Sequence, residues 1–288
     1  MRSILITGAT GNIGIEVIRF LYQTNTNHRI VAGVRNPDKA KILFKDYPKL
    51  EYVRFDFENS SSFAPALKGI ERVFLLRPPN LSAVDKHFKP FIETIKQKRI
   101  NELVFLSVQG AEKSKVIPHN KIERLVIESG LDYIFLRPSY FMQNLTTTLL
   151  NDIKTKRAII LPSGKAKFNW IDINNIAETG AIVLNNFETY KNQALELTGM
   201  ENESFDKVTA LINKAIKNPI SYQSVNPLRF YMIKKQEGMA KGMILVMLLL
   251  HYLPRFQKEP ALTPVYEELC GKKPTSLRAF IEREKEHF

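Results

Sequence analysis

Three glycines spaced three residues apart, Gly8, Gly11 and Gly14, carry the sharpest chemical signal in this sequence. They stand in Thr7-Gly-Ala-Thr-Gly-Asn-Ile-Gly14, after the apolar run Ile4-Leu5-Ile6 and before Ile15, Val17, Ile18, Leu21 and Tyr22 at helical spacing. Strand, glycine turn and helix in that order form a cradle for the pyrophosphate of a dinucleotide. Gly8 permits the tight turn, and Gly11 lets backbone N–H groups come close to the phosphates. Gly14 lets the helix lie close on the strand, so the positive end of its dipole faces the negative charge. Any βα turn with glycines is the plainer alternative, but the full motif is far more specific than the spacing alone.

A cation decides which dinucleotide is expected. An NAD site offers Asp or Glu near the end of its second strand to hold the ribose 2′-hydroxyl. This chain instead reads Val34-Arg-Asn-Pro-Asp-Lys39. The Arg35 guanidinium can pair bidentately with a 2′-phosphate and stack on adenine, so NADP(H) is expected over NAD(H). The plainer reading of Arg35 is a solvated loop charge. Asp38 is expected to cap the helix that Lys39 starts.

Two side chains are candidates for proton chemistry, His119 and Tyr140. Imidazole suits a proton donor, or a hydrogen-bond donor to the nicotinamide ribose or the acceptor's oxygen, because its unperturbed pKa is about 6.5. Alternatively His119 cages the cofactor or simply starts a helix after Pro118. Tyr140 is the second candidate donor, although an aromatic following a strand more often packs. Asp172, beside Trp170, reads as a helix cap rather than a catalyst.

The elements that must position these residues alternate regularly. Strands are expected at 4–6, 29–34, 51–56, 72–76, 103–107 and 133–137, with helices at 60–67, 81–99 and 119–129 among those between them. Gly69 and Gly130 end two of the helices. That alternation gives a Rossmann-type α/β fold, a doubly wound parallel sheet. Asp56 and Phe57 fall where the chain passes the adenine, and ligands bind beyond the carboxyl ends of the strands. After Pro138 the alternation weakens. Residues 141–153 read as helix, 157–161 as extended, and 194–198 as a strand returning to the sheet. The expected division is a nucleotide-binding domain at 1–145, rejoined by 168–200. A smaller, mainly helical substrate or lid lobe takes 146–167 and 201–288.

Composition narrows the class. The chain has 288 residues, 44% of them hydrophobic and 25% charged, as in an ordinary globular protein. Cys270 is the one cysteine, which excludes an internal disulfide and suits a reducing compartment. The N-terminus enters a strand with no leader before it, so a cytoplasmic location is expected. The longest apolar run, 243–250, is far short of the roughly 20 residues that cross a bilayer, so no membrane partner is expected. It reads as a core or lobe helix. The net charge of +13 is spread along the chain and interleaved with acids. With no zinc spacing and no basic strip punctuated by aromatics, neither a metal site nor specific nucleic-acid binding is expected.

At this point the chain resembles the NmrA-like branch of the atypical short-chain dehydrogenases/reductases. The resemblance rests on the glycine motif, Val34-Arg-Asn-Pro37, Ser107-Val-Gln-Gly-Ala111 and Ser129-Gly-Leu-Asp-Tyr133. It continues through Leu136-Arg-Pro-Ser-Tyr-Phe-Met-Gln-Asn144, Trp170-Ile-Asp172 and Tyr266-Glu-Glu-Leu-Cys-Gly-Lys-Lys-Pro274. The family includes NADPH-dependent quinone reductases, reductases of aromatic natural products, and regulators that bind nucleotide without evident turnover. The resemblance implies phosphate contacts at Gly8, Thr10, Gly11, Asn12 and Ile13, the 2′-phosphate on Arg35, and adenine beside Asp56 and Phe57. It places Leu76, Arg77, Ser107 and Val108 along the ribose and nicotinamide. Phe141, Gln143 and Asn144 match the segment lining the nicotinamide end. His119 stands where several relatives carry a lysine.

One departure shapes the functional expectation. Typical short-chain dehydrogenases place a Tyr-x-x-x-Lys pair on the helix after the fifth strand, where the lysine lowers the tyrosine pKa. Here that helix begins Pro118-His-Asn-Lys-Ile-Glu123, without tyrosine, and Tyr231 with Lys235 is a chance match in the lobe. The leading expectation is an NADPH-dependent reductase passing hydride to a small apolar acceptor, such as a quinone or conjugated carbonyl, presented by the lobe. The rival is a non-catalytic NADP(H)-sensing regulator acting through a protein partner.

Overall fold

The computed structural model describes residues 2–24 and 27–288. The chain forms two compact units. The first comprises Met1–Pro138, Ile173–Leu197 and Val265–Gly271, and the second Ser139–Asp172, Thr198–Pro264 and Lys272–Phe288.

The first unit is built on seven strands: β1 (Ser3–Ile6), β2 (Arg29–Val34), β3 (Glu51–Arg54), β4 (Arg72–Leu76), β5 (Glu102–Leu106), β6 (Asp132–Pro138) and β7 (Gln193–Leu197). Their order is β7-β6-β5-β4-β1-β2-β3, and every pairing is parallel. The sheet is therefore the Rossmann-type, doubly wound one expected, and the strand order reverses between β1 and β4. All-parallel strands are covered on both faces, which is why Ile4, Leu5 and Ile6 read as an unbroken apolar run and are fully buried. On one face Phe55, Phe57, Phe63, Phe88 and Phe91 pack with Leu5, Val73 and Phe105 in one core cluster. On another side, helix Asn12–Gln23 packs on helix Ile173–Asn185, with Gly180 against Val17 and Phe74. Tyr266 accepts from Asn175 at 2.8 Å and donates to Glu178 at 2.6 Å, tying 265–271 to that helix.

Three local expectations need correction. The helix expected at 81–99 is two, Val84–His87 and Lys89–Gln97, because Pro90 has no N–H to continue the first ladder. The apolar stripe survives the break, since Val84, Phe88, Phe91, Ile92 and Ile95 are all buried. The helix after β2 is Pro37–Leu43, and its cap is Asn36, whose side chain accepts from the Lys39 N–H at 3.1 Å. Asp38 is then a first-turn residue, favourable to the dipole but not the cap.

The third correction falls in the second unit, where 141–153 is not one helix. Tyr140–Phe141 is extended and pairs in parallel with Trp170–Ile171. A 3-10 turn, Met142–Leu145, follows, and helix starts only at Leu150. Between them Thr146 and Thr147 turn their hydroxyls onto the Gln143 carbonyl, competing with helix ladder bonds. This unit has its own core of Leu145, Ile153, Trp170, Phe205, Phe230, Ile244 and Phe280. Trp170 is fully buried and donates its indole N–H to the Glu203 carbonyl at 2.9 Å. Gly199 backs onto it so closely that a Cβ would lie 2.7 Å from the Trp170 carbonyl carbon.

Candidate functional site

In the first unit the glycine turn sits at the switch in strand order. Thr7, fully buried, ties the two central strands together: its backbone N–H donates to the Phe74 carbonyl at 3.0 Å, and its hydroxyl accepts from the Leu76 N–H at 2.9 Å. Gly8 follows at φ +59°, a left-handed turn that only glycine adopts freely, and a Cβ there would press on Leu76. The Gly11 N–H closes the turn on the Gly8 carbonyl at 2.9 Å. Helix Asn12–Gln23 starts at once, with Gly11 as its cap and no side-chain hydrogen bond capping its end. A Cβ on Gly14 would meet the Gly8 carbonyl oxygen and lie 2.8 Å from Ala9 Cα. The helix therefore lies as close to the turn as backbone permits. Its first N–H groups, at Asn12, Ile13 and Gly14, have no intrahelical partner. With Thr10, Gly11 and Asn12 exposed, that positive end opens to solvent.

Arg35 stands just past β2, exposed, and makes no side-chain bond among the described residues. Beyond β3, the Asp56 carboxylate accepts from the Glu58 N–H and its own N–H donates to Ser62, so this loop is shaped by local bonds. Phe57 is 5% exposed, its ring packed on Phe55 and Phe88. That ring belongs to the core, so only the Phe57 backbone is available beside an adenine.

Beyond β4 and β5 the structure gathers Leu76, Arg77, Ser107 and His119. Leu76 is buried against Gly8. Arg77 turns back on its own loop, with Nη1 donating to the carbonyls of Pro78, Pro79 and Leu81 at 3.0, 3.2 and 2.8 Å. Its Nε donates to His119 Nε2 at 3.3 Å. His119, at the start of helix Pro118–Glu128, also stacks on Phe105. Burial, and then the charge of Arg77, pushes its pKa down to about 3. A histidine that accepts from a guanidinium at Nε2 is neutral at working pH, so His119 is not the imidazolium acid considered from the sequence. The proton it can offer is at Nδ1.

Ser107 is 1% exposed, and its backbone N–H donates to the Leu136 carbonyl at 2.7 Å. Among the described residues its hydroxyl is buried without a partner, as is the side-chain oxygen of Asn120, whose amide donates to the Ala111 carbonyl. Buried polar atoms are nearly always paired, so each of these orphans, one just past β5 and one in the first turn of helix Pro118–Glu128, is open to a ligand or water. Val108 beside them is half-buried. Asn120 was not singled out from sequence. Its only signal was its place one residue after His119.

The remaining candidates lie in the second unit. Tyr140 donates to His251 Nε2 at 2.9 Å, and His251 Nδ1 in turn bonds the Met247 carbonyl at 2.8 Å. Burial lowers His251 to about 4 and raises Tyr140 well above its ordinary value. The Tyr140 ring packs on Phe168, Trp170 and Phe205. A phenol so held keeps its proton, and we read Tyr140 as a packing residue. Gln143 donates to Asp172 at 2.6 Å, and Asp172, fully buried, also accepts from Arg283 at 2.7 Å. Phe141 and Asn144 are half-buried on the same short segment. Among the described residues no cluster of His, Cys, Asp or Glu could hold a metal, and no helix is long and apolar enough to cross a membrane.

Fold and turn together define a class, the Rossmann-type proteins with a glycine cradle at the strand-order switch. Within it, the model of the NmrA-like family matches residues 1–281. The chain belongs to that family. It is 29% identical over 281 residues to the prestalk A differentiation protein A of Dictyostelium discoideum, covering 97% of this chain and 91% of that one. It is 28% identical to the NAD(P)H azoreductase of Xenophilus azovorans over 77% of each. Among solved structures, the NADPH-dependent quinone oxidoreductase of Escherichia coli complexed with NADPH superposes with a TM-score of 0.83 at 21% identity, covering 97% of this chain and 99% of that one.

Proposed function

We propose that this protein is an NADPH-dependent reductase that passes hydride to a small apolar acceptor, a quinone or conjugated carbonyl. The observation that carries the reading is the cradle: a glycine turn with no room for side chains, opening a helix end to solvent, with the unpartnered Arg35 beyond the neighbouring strand. These residues fit a dinucleotide bearing a 2′-phosphate. The backbone from Gly8 through Gly14 would hold the pyrophosphate, Arg35 the 2′-phosphate, and Leu76, Ser107 and Val108 the ribose and nicotinamide. The relatives named as NAD(P)H azoreductase and NADPH-dependent quinone oxidoreductase support the same class of chemistry.

NADPH bound there would supply the hydride. The protein's own part is position and electrostatics. Ser107 Oγ offers the hydroxyl that its burial leaves unpaired, and neutral His119 can donate from Nδ1 without itself changing charge. No tyrosine stands on helix Pro118–Glu128 to act as acid. A quinone suits that lack, because the reduced product is a stabilised hydroquinone anion that water can protonate.

Steady-state NADPH oxidation against a panel of quinones, azo dyes and conjugated carbonyls tests the proposal. Turnover with at least one acceptor is expected. NADPH binding with no turnover above background on any of them would overturn the reductase reading and leave a nucleotide-dependent protein partner to be sought.

A further inference from the structure

The second unit turns an apolar helix face to solvent. Helix Lys241–Tyr252 buries Ile244, Met247 and His251 on one side. A helix packed this way ordinarily carries polar residues on its other side. Here the other side is Met243, Leu245, Val246, Leu249 and Leu250, between 37% and 59% exposed. The turn Leu253–Phe256 continues it, with Leu253 at 44% and Phe256 at 71%. Scattered exposed leucines are ordinary, whereas a run of this kind marks a contact surface.

Cations accompany that face. Lys241 opens the helix, Arg255 lies within the turn and Lys258 follows it, all exposed and none in an ion pair among the described residues. Arg255 also lines, with Lys165 and Lys167, an open cleft of about 580 Å³. The acids that flank this stretch in sequence are engaged, Glu237 with Lys156 and Lys234, and Glu259 with Lys167.

We propose that this face docks on an anionic phospholipid surface, lying in the headgroup layer rather than crossing it. The leucines and Phe256 would enter the acyl boundary while Lys241, Arg255 and Lys258 meet lipid phosphates. A second copy of this chain is the competing occupant, and charge argues against it. Face-to-face pairing would set the cations at either end of this face, Lys241, Arg255 and Lys258, against cations of the second copy, within a molecule of net charge +13. The proposal stands apart from the reductase reading, because docking requires neither nucleotide nor turnover.

Co-sedimentation of the full chain with phosphatidylcholine vesicles, with and without phosphatidylglycerol, tests it. Pelleting is expected with the anionic vesicles and is weakened by added salt. Replacing Lys241 and Lys258 by alanine lowers partitioning about fivefold for each cation lost. The triple change Leu249→Ser, Leu253→Ser and Phe256→Ser lowers it by at least about tenfold. These side chains are exposed, so an unchanged circular dichroism spectrum and melting midpoint confirm folding of each variant. Failure to pellet with anionic vesicles would overturn the proposal, as would full retention of binding by the triple variant. A concentration-dependent dimer in analytical ultracentrifugation, abolished by the triple change and unaccompanied by vesicle binding, would overturn it too and give the face to a second copy.

Discussion

Replacing Arg35 by alanine separates the two nicotinamide dinucleotides most cleanly. The side chain is exposed and bonded to nothing among the described residues, so its removal leaves folding stability unchanged. A charge-assisted bidentate pair with a 2′-phosphate contributes about 1.5–3 kcal/mol, and solvent exposure favours the lower half of that range. Since about 1.4 kcal/mol is tenfold in affinity, NADPH should bind roughly 10- to 40-fold more weakly to Arg35→Ala, with NADH changed less than about twofold. Titration calorimetry with both nucleotides at about 0.1 M salt measures this, and repetition at higher salt should shrink the difference as screening sets in. An equal loss for NADPH and NADH would refute the assignment of Arg35 to the phosphate. A fall in melting midpoint without either loss would show that its role is structural.

Other outcomes follow from the same geometry. Gly14→Ala forces a methyl onto the Gly8 carbonyl and Ala9, so binding of both nucleotides should fall together, with stability down by about 1–3 kcal/mol in urea unfolding. Ser107→Ala removes a hydroxyl with no protein partner, so stability should hold or rise slightly while NADPH affinity drops; unchanged affinity would leave that hydroxyl without a ligand role. Tyr140→Phe strands His251 Nε2 in the core and should cost about 1–3 kcal/mol of stability; no loss would mean water replaces the phenol. His119 has a folded pKa of about 3 against 6.5 ordinarily, so the unfolded chain takes up its proton first as pH falls. Its contribution to stability is complete above about pH 6.5 and is lost progressively below it. His119→Gln keeps an acceptor for Arg77 and should flatten that acid limb in pH-dependent urea unfolding. An unaltered limb would show that the imidazole is not held neutral.

The parallel sheet is legible because fully buried strands leave unbroken apolar runs, as at 4–6 and 73–76, and glycine spacing has few other physical meanings. Periodicity carried the stripe Val84, Phe88, Phe91 past the true break, since a proline interrupts the ladder without disturbing which face is apolar. The segment 141–153 misled for the opposite reason: its apolar residues fit a helix, but Phe141 is claimed by a strand pairing with Ile171 thirty positions on. Phe57 looked like a ligand residue by position, and only packing reveals that its ring is core. The pairing of Tyr140 with His251 joins residues 111 apart and leaves no local trace. The run 243–250 reads as a core or lobe helix, and hydropathy alone does not show that only one of its sides is covered.

With Nη1 of Arg77 tied to three carbonyls of its own loop, the lip after β4 is ordered before anything binds. Freezing a loose segment on association costs about 0.5–1.5 kcal/mol for each immobilised side chain. Here folding has already met that requirement, so the nucleotide proposed for this edge would encounter a finished mould. Arrival should then be near rigid-body docking, and differences among ligands should be expressed in how slowly they leave.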